Sequence, residues 1–339
     1  MPRYSFIIPV YNRPDEADEL LASICRQTVT DFEVLVVEDG SSQPCDAVVA
    51  RYADRLAVRY LVKENGGPGP ARNYGAERAT GDYLLILDSD CVLPDGYLAA
   101  IDAELQREPA DAFGGPDRAH DSFTPVQKAI SYAMTSFFTT GGIRGGKKKL
   151  DKFYPRSFNM GIRADLYRQL GGFAAMRFGE DVDFSLRICE SGASCRLFPE
   201  AWVWHKRRTD FRKFFRQVHN SGIARINLHL RHPGSMKIVH LLPAAFTVAL
   251  AVAVALIIVG IATGVRWLAW LPLCAIVFYA LLLLADSTLR NRSLRVGLLS
   301  VPASFIQLTG YGSGFLRAWY RRCLRHQDEF SAFSKNFYK

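Results

Sequence analysis

The sequence lacks the features by which several classes of protein are recognised. Its seven cysteines include no Cys-x-x-Cys pair, so neither a disulfide framework nor a zinc knuckle is predicted, and a reducing compartment is the simpler interpretation. No internal repeat is present. With 49% hydrophobic, 12% aromatic and 22% charged residues, the composition excludes intrinsic disorder and fibrous low-complexity proteins. A chain of 339 residues can bury a sizeable core, in one large domain or two smaller ones.

Acidic residues are scarce in the C-terminal part of the chain. Residues 205–339 contain 19 basic and 4 acidic groups, whereas residues 1–204 contain 23 basic and 29 acidic groups. The net charge of +9 would by itself suggest a nucleic-acid-binding protein. The basic excess, however, lies beside long apolar runs, which favours an anionic membrane surface. We therefore expect membrane lipids, and no nucleic acid, among the partners.

Long runs without a formal charge occupy residues 241–265 and 267–285. Both reach the roughly 20 apolar residues that a helix needs to cross a bilayer, so two spanning helices are predicted. A third uncharged run, 296–316, contains a proline and four glycines and could be spanning, re-entrant or interfacial. We favour a re-entrant or interfacial segment, in which the glycines permit a bend. Because the first predicted strand begins at residue 4, we expect no signal peptide and a catalytic domain that stays in the cytoplasm.

The first 120 residues alternate between short apolar runs and helical patterns. Predicted strands cover residues 4–10, 32–37, 58–62 and 83–87, and predicted helices cover 15–27, 45–54, 70–79 and 94–107. This alternation indicates right-handed βαβ crossovers and an α/β fold with a mainly parallel sheet. Such sheets bind ligands at the carboxyl ends of their strands.

From residue 111 to residue 204 the alternation of predicted strands and helices is less regular. Helices are predicted over 124–139, 164–170 and 180–191, a strand over 158–162, and a Gly/Lys loop over 141–152. Residues 211–225 then place phenylalanines at helical spacing among arginines and a lysine. This is typical of a basic amphipathic helix in a membrane interface, although an ordinary surface helix has the same pattern.

Acidic residues directly follow two of the predicted strands. Glu38 and Asp39 come after the second strand, and Asp88 and Asp90 come after the fourth. Because parallel strands end at one edge of a sheet, these carboxylates should converge. An Asp-x-Asp pair there suits a hard divalent cation that bridges a diphosphate, although exposed loop acids give the same short pattern.

Six motifs in a fixed order identify the region from residue 4 to about residue 205 as similar to the family 2 glycosyltransferases. They are Ile-Ile-Pro-Val-Tyr-Asn12, Val-Val-Glu-Asp-Gly-Ser41, Gly-Pro-Ala-Arg-Asn73, Leu-Asp-Ser-Asp90, Gly-Gly-Phe173 and Gly-Glu-Asp-Val-Asp-Phe184. The resemblance implies the GT-A nucleotide-sugar-binding fold and an inverting transfer from a nucleotide-sugar donor.

The resemblance also assigns residues to the nucleotide. Pro9, Tyr11 and Asp39 match positions that hold the base, with the tyrosine beside it and the carboxylate accepting a base N–H. Arg72 matches a basic residue near the base and phosphates. Asp88 matches the first acid of the metal motif, which contacts the ribose or a metal-bound water.

The remaining matches concern the metal and the reaction. Asp90 corresponds to the acid that ligates Mg²⁺ or Mn²⁺, the cation that neutralises the diphosphate leaving group. Asp181 corresponds to the base that takes the acceptor's proton, and Glu180 orients it or the acceptor. One base without a nucleophile gives single displacement and inversion. A carboxylate such as Asp181 also suits a helix N-terminus, and the two roles are compatible.

For the remaining candidate residues, the sequence is also compatible with a purely structural role. His205 matches a histidine near the metal or diphosphate, or lies at a domain edge. Residues 159–161 and 171–173 resemble the acceptor side of the family, or simply provide turn geometry. Lysines 147–149 could meet phosphate, although a lysine run in a loop is usually solvated.

One departure from the family pattern bears on the product. Processive membrane synthases carry Gln-x-x-Arg-Trp beyond the base, whereas this chain has Gln-Val-His-Asn-Ser at residues 217–221. The resemblance therefore implies transfer of a single sugar, and argues against a cellulose, chitin or hyaluronan synthase.

The sequence thus predicts an enzyme of the inner membrane, multi-pass, that transfers one sugar to a lipid-linked or cell-surface glycan acceptor. The expected regions are a catalytic domain (1–205), a basic juxtamembrane segment (206–240), a membrane region (241–316) and a basic, aromatic tail (317–339). Alternatives are a polyprenyl-phosphate glycosyltransferase, a sugar-nucleotide nucleotidyltransferase and a non-catalytic scaffold. A nucleotidyltransferase would usually carry a Gly-rich loop with Arg and Lys where Pro-Val-Tyr-Asn stands at residues 9–12.

Overall fold

The computed structural model describes residues 2–118, 123–140, 153–206 and 209–329. In chain order the strands are β1 Tyr4–Val10, β2 Phe32–Asp39, β3 Val58–Lys63, β4 Tyr83–Leu87, β5 Cys91–Val92, β6 Ala112–Gly114, β7 Asp117–Arg118, β8 Asn159–Arg163, β9 Cys195–Leu197 and β10 Val203–His205. The helices are α1 Pro14–Ile24, α2 Asp46–Ala50, α3 Pro68–Ala76, α4 Tyr97–Arg107, α5 Pro125–Thr135, α6 Phe137–Thr140, α7 Ala164–Gln169, α8 Glu180–Glu190, α9 Phe211–Arg231, α10 Leu242–Thr263, α11 Arg266–Asn291 and α12 Leu294–Trp319.

The chain separates into two compact units. The sheet unit holds all ten strands, with helices α1–α4, α7 and α8. The helical unit holds α5, α6 and α9–α12. Although α5 and α6 lie within the predicted catalytic range of 1–205, they belong to the helical unit, so the chain enters that unit, returns to the sheet and enters it again.

The sheet unit is built on a seven-stranded sheet in the order β3-β2-β1-β4-β8-β6-β9. The first four strands in this order are parallel, as predicted, and β8 runs antiparallel to both β4 and β6. The apolar runs of β1 and β4 are almost completely buried, because helices cover both faces of a parallel sheet. The predicted α/β fold with a mainly parallel sheet is confirmed.

A second, three-stranded sheet has the order β5-β10-β7 and lies entirely outside the sequence-based prediction. In it β10 runs antiparallel to β5, so that His205 stands opposite Cys91. These strands have two or three residues each, too few to show a periodicity in the sequence. Their pairing brings the histidine beside the Asp-x-Asp motif.

Close packing explains Gly161, in the middle of β8. A Cβ atom at this position would lie 2.1 Å from the ring of Phe113, which is itself buried in β6. The glycine therefore makes room for the aromatic ring where the two antiparallel strands meet.

The helical unit is organised around α12, against which α5 and α9 pack. The predicted helix over 211–225 is present and extends to Arg231, and Asp210 caps it by accepting a hydrogen bond from the Lys213 N–H (2.7 Å). Phe214 and Val218 are buried in a cluster with apolar residues of α5 and α12. The expectation that this apolar face meets a membrane interface is therefore wrong for these two side chains, which are covered by protein.

Helix α12 is continuous from Leu294 to Trp319 and includes Pro302 and three of its glycines, Gly310, Gly312 and Gly314. A Cβ at Gly314 would lie 1.9 Å from the His219 carbonyl oxygen, and one at Gly312 would lie 2.1 Å from Thr247 Oγ1. The glycines allow α9 and α10 to approach closely, which is the usual role of small residues between membrane helices.

Among the described residues, two helical stretches are long and apolar enough to cross a membrane: Ile238–Thr263 and Arg266–Asn291. The core helix of a soluble protein would be mostly buried, whereas 11% and 6% of these apolar stretches are buried. They coincide with the two spanning helices that the sequence predicts.

We expect Gly161→Ala to destabilise the sheet unit by about 1–3 kcal/mol, because the added methyl group overlaps the Phe113 ring. Thermal unfolding of the purified chain measures this as a melting temperature lower by a few degrees. Gly96→Ala is the matched control, since a Cβ there has nothing within 4 Å. Equal melting temperatures for the two variants would contradict this account of Gly161.

Candidate active site

The loop after β1 is held to the loop after β2 by Asn12. This residue has a left-handed backbone (φ 52°), a conformation that asparagine tolerates better than most residues. Its Oδ1 accepts hydrogen bonds from the N–H groups of Ser42 (2.8 Å) and Gln43 (2.9 Å), and its own N–H donates to Ser41 Oγ (2.7 Å). Sequence reasoning gave Asn12 no role. Pro9 and Tyr11, predicted to hold the base, are half-buried beside it.

Asp39 is buried at the end of β2 and fixes the loop that follows β3. Its carboxylate accepts hydrogen bonds from the N–H groups of Gly66 (2.9 Å) and Gly67 (2.8 Å) and from Lys63 Nζ (2.7 Å). Burial raises the pKa of Asp39, although these donors oppose that effect. Its contact with a nucleotide base stays a prediction.

Arg72, in α3, links two acidic motifs that are far apart in the sequence. Its side chain is almost completely buried, with Nη2 2.7 Å from Asp88 Oδ1 and Nη1 3.2 Å from Glu180 Oε1. Burial disfavours the charge, but the two carboxylates more than compensate and raise the pKa of Arg72. The guanidinium also lies 5.0 Å from the centre of the Phe173 ring. Asp88 and Glu180 are thus connected through the guanidinium of Arg72, which pairs with both.

Glu180 and Asp181 open α8 after Gly179, whose left-handed backbone ends the preceding loop. Burial, together with the adjacent charge of Asp181, raises the pKa of Glu180 to about 7. Asp181 is more accessible and lies 2.9 Å from Arg156 Nη2. Both carboxylates occupy the first turn, where the helix dipole favours negative charge. The neighbouring acids are both half-buried and differ in their partners, Arg72 for Glu180 and Arg156 for Asp181.

The Gly-Gly-Phe loop is tied to α3 by Asn73. Its amide donates to the Phe173 carbonyl (2.9 Å) and accepts from the Phe173 N–H (2.9 Å). Gly171 and Gly172 both have positive φ, and a Cβ at Gly172 would lie 2.4 Å from Asn73 Oδ1. Turn geometry and close packing account for these glycines, and an acceptor contact of the loop stays a prediction.

Asn159, also predicted on the acceptor side, has a structural role at the start of β8. It is buried, donates to the Ala201 carbonyl (2.8 Å) and accepts from the Tyr97 hydroxyl (2.7 Å). The predicted Gly/Lys loop over 141–152, with its lysines 147–149, lies outside the described residues.

Asp90 and His205 form the candidate metal centre. His205 Nε2 lies 3.2 Å from Asp90 Oδ1, and the imidazole stacks on Phe158 with ring centres 5.0 Å apart. Two adjacent ligands of an octahedral Mg²⁺, each at about 2.0–2.1 Å, are separated by about 3 Å, so this pair of donors fits such an ion. The separation of these two atoms thus matches that of two ligands of one divalent cation.

Cys91 is the third potential ligand near this pair, with one donor atom from each of the three residues within 4.8 Å of the others. Burial raises the pKa of Cys91 well above its ordinary value, and the thiol donates to the Phe158 carbonyl. A protonated thiol is a poor ligand for a hard cation, which prefers oxygen. Asp90 thus supplies the oxygen ligand that Mg²⁺ or Mn²⁺ prefers, and His205 supplies a nitrogen beside it.

Comparison with known proteins indicates the family to which the N-terminal region belongs. Residues 5–171 match the Glycosyl transferase family 2 model. The chain is 29% identical over 194 residues to an uncharacterized glycosyltransferase of Haemophilus influenzae, covering 55% of this chain and 62% of that protein. It is 31% identical over 193 residues to the uncharacterized glycosyltransferase EpsJ of Bacillus subtilis, covering 55% and 54%. The chain spans less than two thirds of the length of these relatives.

The fold resembles that of a solved glycosyltransferase structure. A mannosyltransferase from Pyrobaculum calidifontis, in complex with GDP-Man and Mn²⁺, superposes with a TM-score of 0.62 at 21% identity, covering 90% of this chain and 87% of that one. At this identity the similarity concerns the fold, and it agrees with the GT-A architecture predicted from the motifs. The matched N-terminal region of this chain is a family 2 glycosyltransferase domain with the GT-A fold.

Proposed function

We propose that the protein is a membrane-anchored, metal-dependent, inverting glycosyltransferase that moves one sugar from a nucleotide sugar to a lipid-linked or cell-surface glycan acceptor. The observation that carries this proposal is the contact of Arg72 with both Asp88 and Glu180. It joins the predicted donor-binding motif to the predicted catalytic motif. Screening the purified full chain against UDP-, GDP- and dTDP-sugars for nucleotide release tests the donor class.

Asp90 and His205 would hold Mg²⁺ or Mn²⁺, which neutralises the charge of the departing nucleoside diphosphate. Arg72 keeps the Asp88 carboxylate in place near this centre, since one oxygen of Asp88 accepts from its guanidinium. Pro9, Tyr11 and Asp39 would surround the base. These roles rest on the family motifs and on the oxygen and nitrogen donors present.

Asp181 would take the proton of the acceptor hydroxyl as the new glycosidic bond forms. Its carboxylate is partly accessible and is oriented by Arg156, 2.9 Å away, so it can meet an acceptor. Glu180 is paired with Arg72 and would position Asp181 rather than contact the acceptor. A single displacement then inverts the anomeric carbon.

The membrane part of the proposal rests on two apolar, largely unburied helices and on the basic residues near them. A membrane-bound catalyst benefits when its acceptor is held on the same surface, which favours a lipid-linked acceptor. A polyprenyl phosphate is the alternative acceptor. Identification of the lipid product distinguishes a glycosyl phosphate ester from an extended glycan.

We expect Asp90→Asn to abolish turnover and to weaken metal-dependent donor binding, because the variant loses the anionic ligand of the cation. Activity with Mn²⁺ or Mg²⁺ and calorimetric titration of the donor measure these effects. Asp95→Asn is the control, since Asp95 is an exposed carboxylate paired with Arg26. Near wild-type activity in Asp90→Asn would show that the metal assignment is wrong.

Asp181→Asn should keep donor and metal affinity yet lose transfer by about a hundredfold or more, because general-base catalysis is removed. Single-turnover transfer and donor titration separate the two effects. Asp165→Asn, which alters an exposed residue paired with Arg163, should leave both unchanged. If donor binding falls as much as transfer does, Asp181 is structural or nucleotide-binding instead.

A reporter fused after Lys339 should lie on the cytoplasmic side. The nine basic residues between 205 and 241, and three arginines between 290 and 295, then follow the positive-inside rule around two crossings. A third crossing would move four arginines between 317 and 325 outside. We propose that α12, which is covered in part by α5 and α9, does not cross. A non-cytoplasmic reporter signal would establish three crossings.

A further inference from the structure

Arg13 contacts the candidate metal ligand from the side opposite the histidine. Its Nη1 lies 2.8 Å from Asp90 Oδ2, while His205 Nε2 lies 3.2 Å from Asp90 Oδ1. The two carboxylate oxygens are thus divided between a guanidinium and an imidazole. None of the family motifs described above assigns a role to Arg13.

The backbone around Arg13 is held independently of any ligand. The preceding residue, Asn12, makes three hydrogen bonds to the loop after β2. Arg13 is the residue before the first turn of α1, and its carbonyl accepts the Ala17 N–H at 3.1 Å. The guanidinium is therefore presented to Asp90 by a fixed turn.

The charge of Arg13 is compensated. Its Nε lies 3.4 Å from Glu16 Oε2, so the guanidinium bridges the carboxylates of Glu16 and Asp90. An uncompensated cation beside the metal would repel it, whereas a paired one can act as a hydrogen-bond donor with little net charge. Metal-ligating carboxylates are commonly held by such a partner on their outer oxygen.

We propose that Arg13 is a positioning residue of the metal centre: it holds Asp90 Oδ2 so that Oδ1 remains directed to the cation beside His205. This inference rests on the proposed metal-dependent function and adds to it a residue, Arg13, with a defined task. Loss of Arg13 frees the carboxylate to rotate and weakens the site.

Titration of the full chain with Mn²⁺ alone, followed by electron paramagnetic resonance of the free ion, tests the proposal without requiring a known sugar donor. Arg13→Gln should weaken Mn²⁺ binding by about 10–100-fold, the range for loss of a partner that holds a metal ligand. Arg13→Lys should recover part of the affinity. Arg26→Gln is the control, since Arg26 makes an exposed pair with Asp95.

A second variant covers the case in which Arg13→Gln does not fold. Glu16→Gln leaves Arg13 in place and removes its compensating charge, so Mn²⁺ binding should weaken severalfold while the melting temperature stays close to wild type. Unchanged or tighter Mn²⁺ binding in Arg13→Gln overturns the role of Arg13, whereas weaker binding in Glu16→Gln at an unchanged melting temperature supports it.

The outcomes also separate this inference from the proposed function. If Asp90→Asn abolishes Mn²⁺ binding while Arg13→Gln binds normally, the metal site stands and the inference fails. If the wild-type chain binds no Mn²⁺, either alone or with UDP or GDP, the proposed metal-dependent function and the role of Arg13 both fail.

Discussion

The sheet unit depends on one buried cation. Arg72 is charged and enclosed, and an unpaired charge in such a position costs about 3–5 kcal/mol, so its two carboxylate partners are a requirement of the fold. Asp88 comes from the end of β4 and Glu180 from the start of α8. The loop after β4, the helix α3 and the helix α8 must therefore assemble together. Phe173, stacked against the same guanidinium, adds the Gly-Gly-Phe loop to this assembly.

Much of the sheet could be predicted because its strands are continuous apolar runs. The bounds of β1 and β4 agree with prediction, whereas helix ends differ by a few residues; α4, for example, begins at Tyr97 instead of residue 94. At the site, the carboxylates could be found because they follow strands or match family motifs. The contact of Arg72 with Glu180, 108 positions apart, has no local signal. Arg13 and Arg156 have none either, since isolated arginines are common on surfaces.

The helical unit shows a second limit of sequence reasoning. A periodic apolar face predicts that a helix exists, as it did for α9, but does not say whether lipid or protein covers that face. Here α5 and α12 cover Phe214 and Val218. The glycines of α12 were open to a similar ambiguity, because a residue without a side chain permits either a bend or a close approach. The neighbouring backbone of α9 decides for close approach at Gly314.

The chain order of the helical unit has a consequence for biosynthesis. Helix α5 ends at Thr135 and its partner α12 begins at Leu294, so 294 − 135 = 159 positions separate them. At about 5–20 residues per second, α5 waits roughly 10–30 s for the ribosome to deliver α12. During that interval β8, β9 and β10 are made and can complete the sheets, while the apolar face of α5 has no α12 to cover it. Nascent chains halted between residues 140 and 294 should consequently be the ones that chaperones or the membrane surface engage through α5.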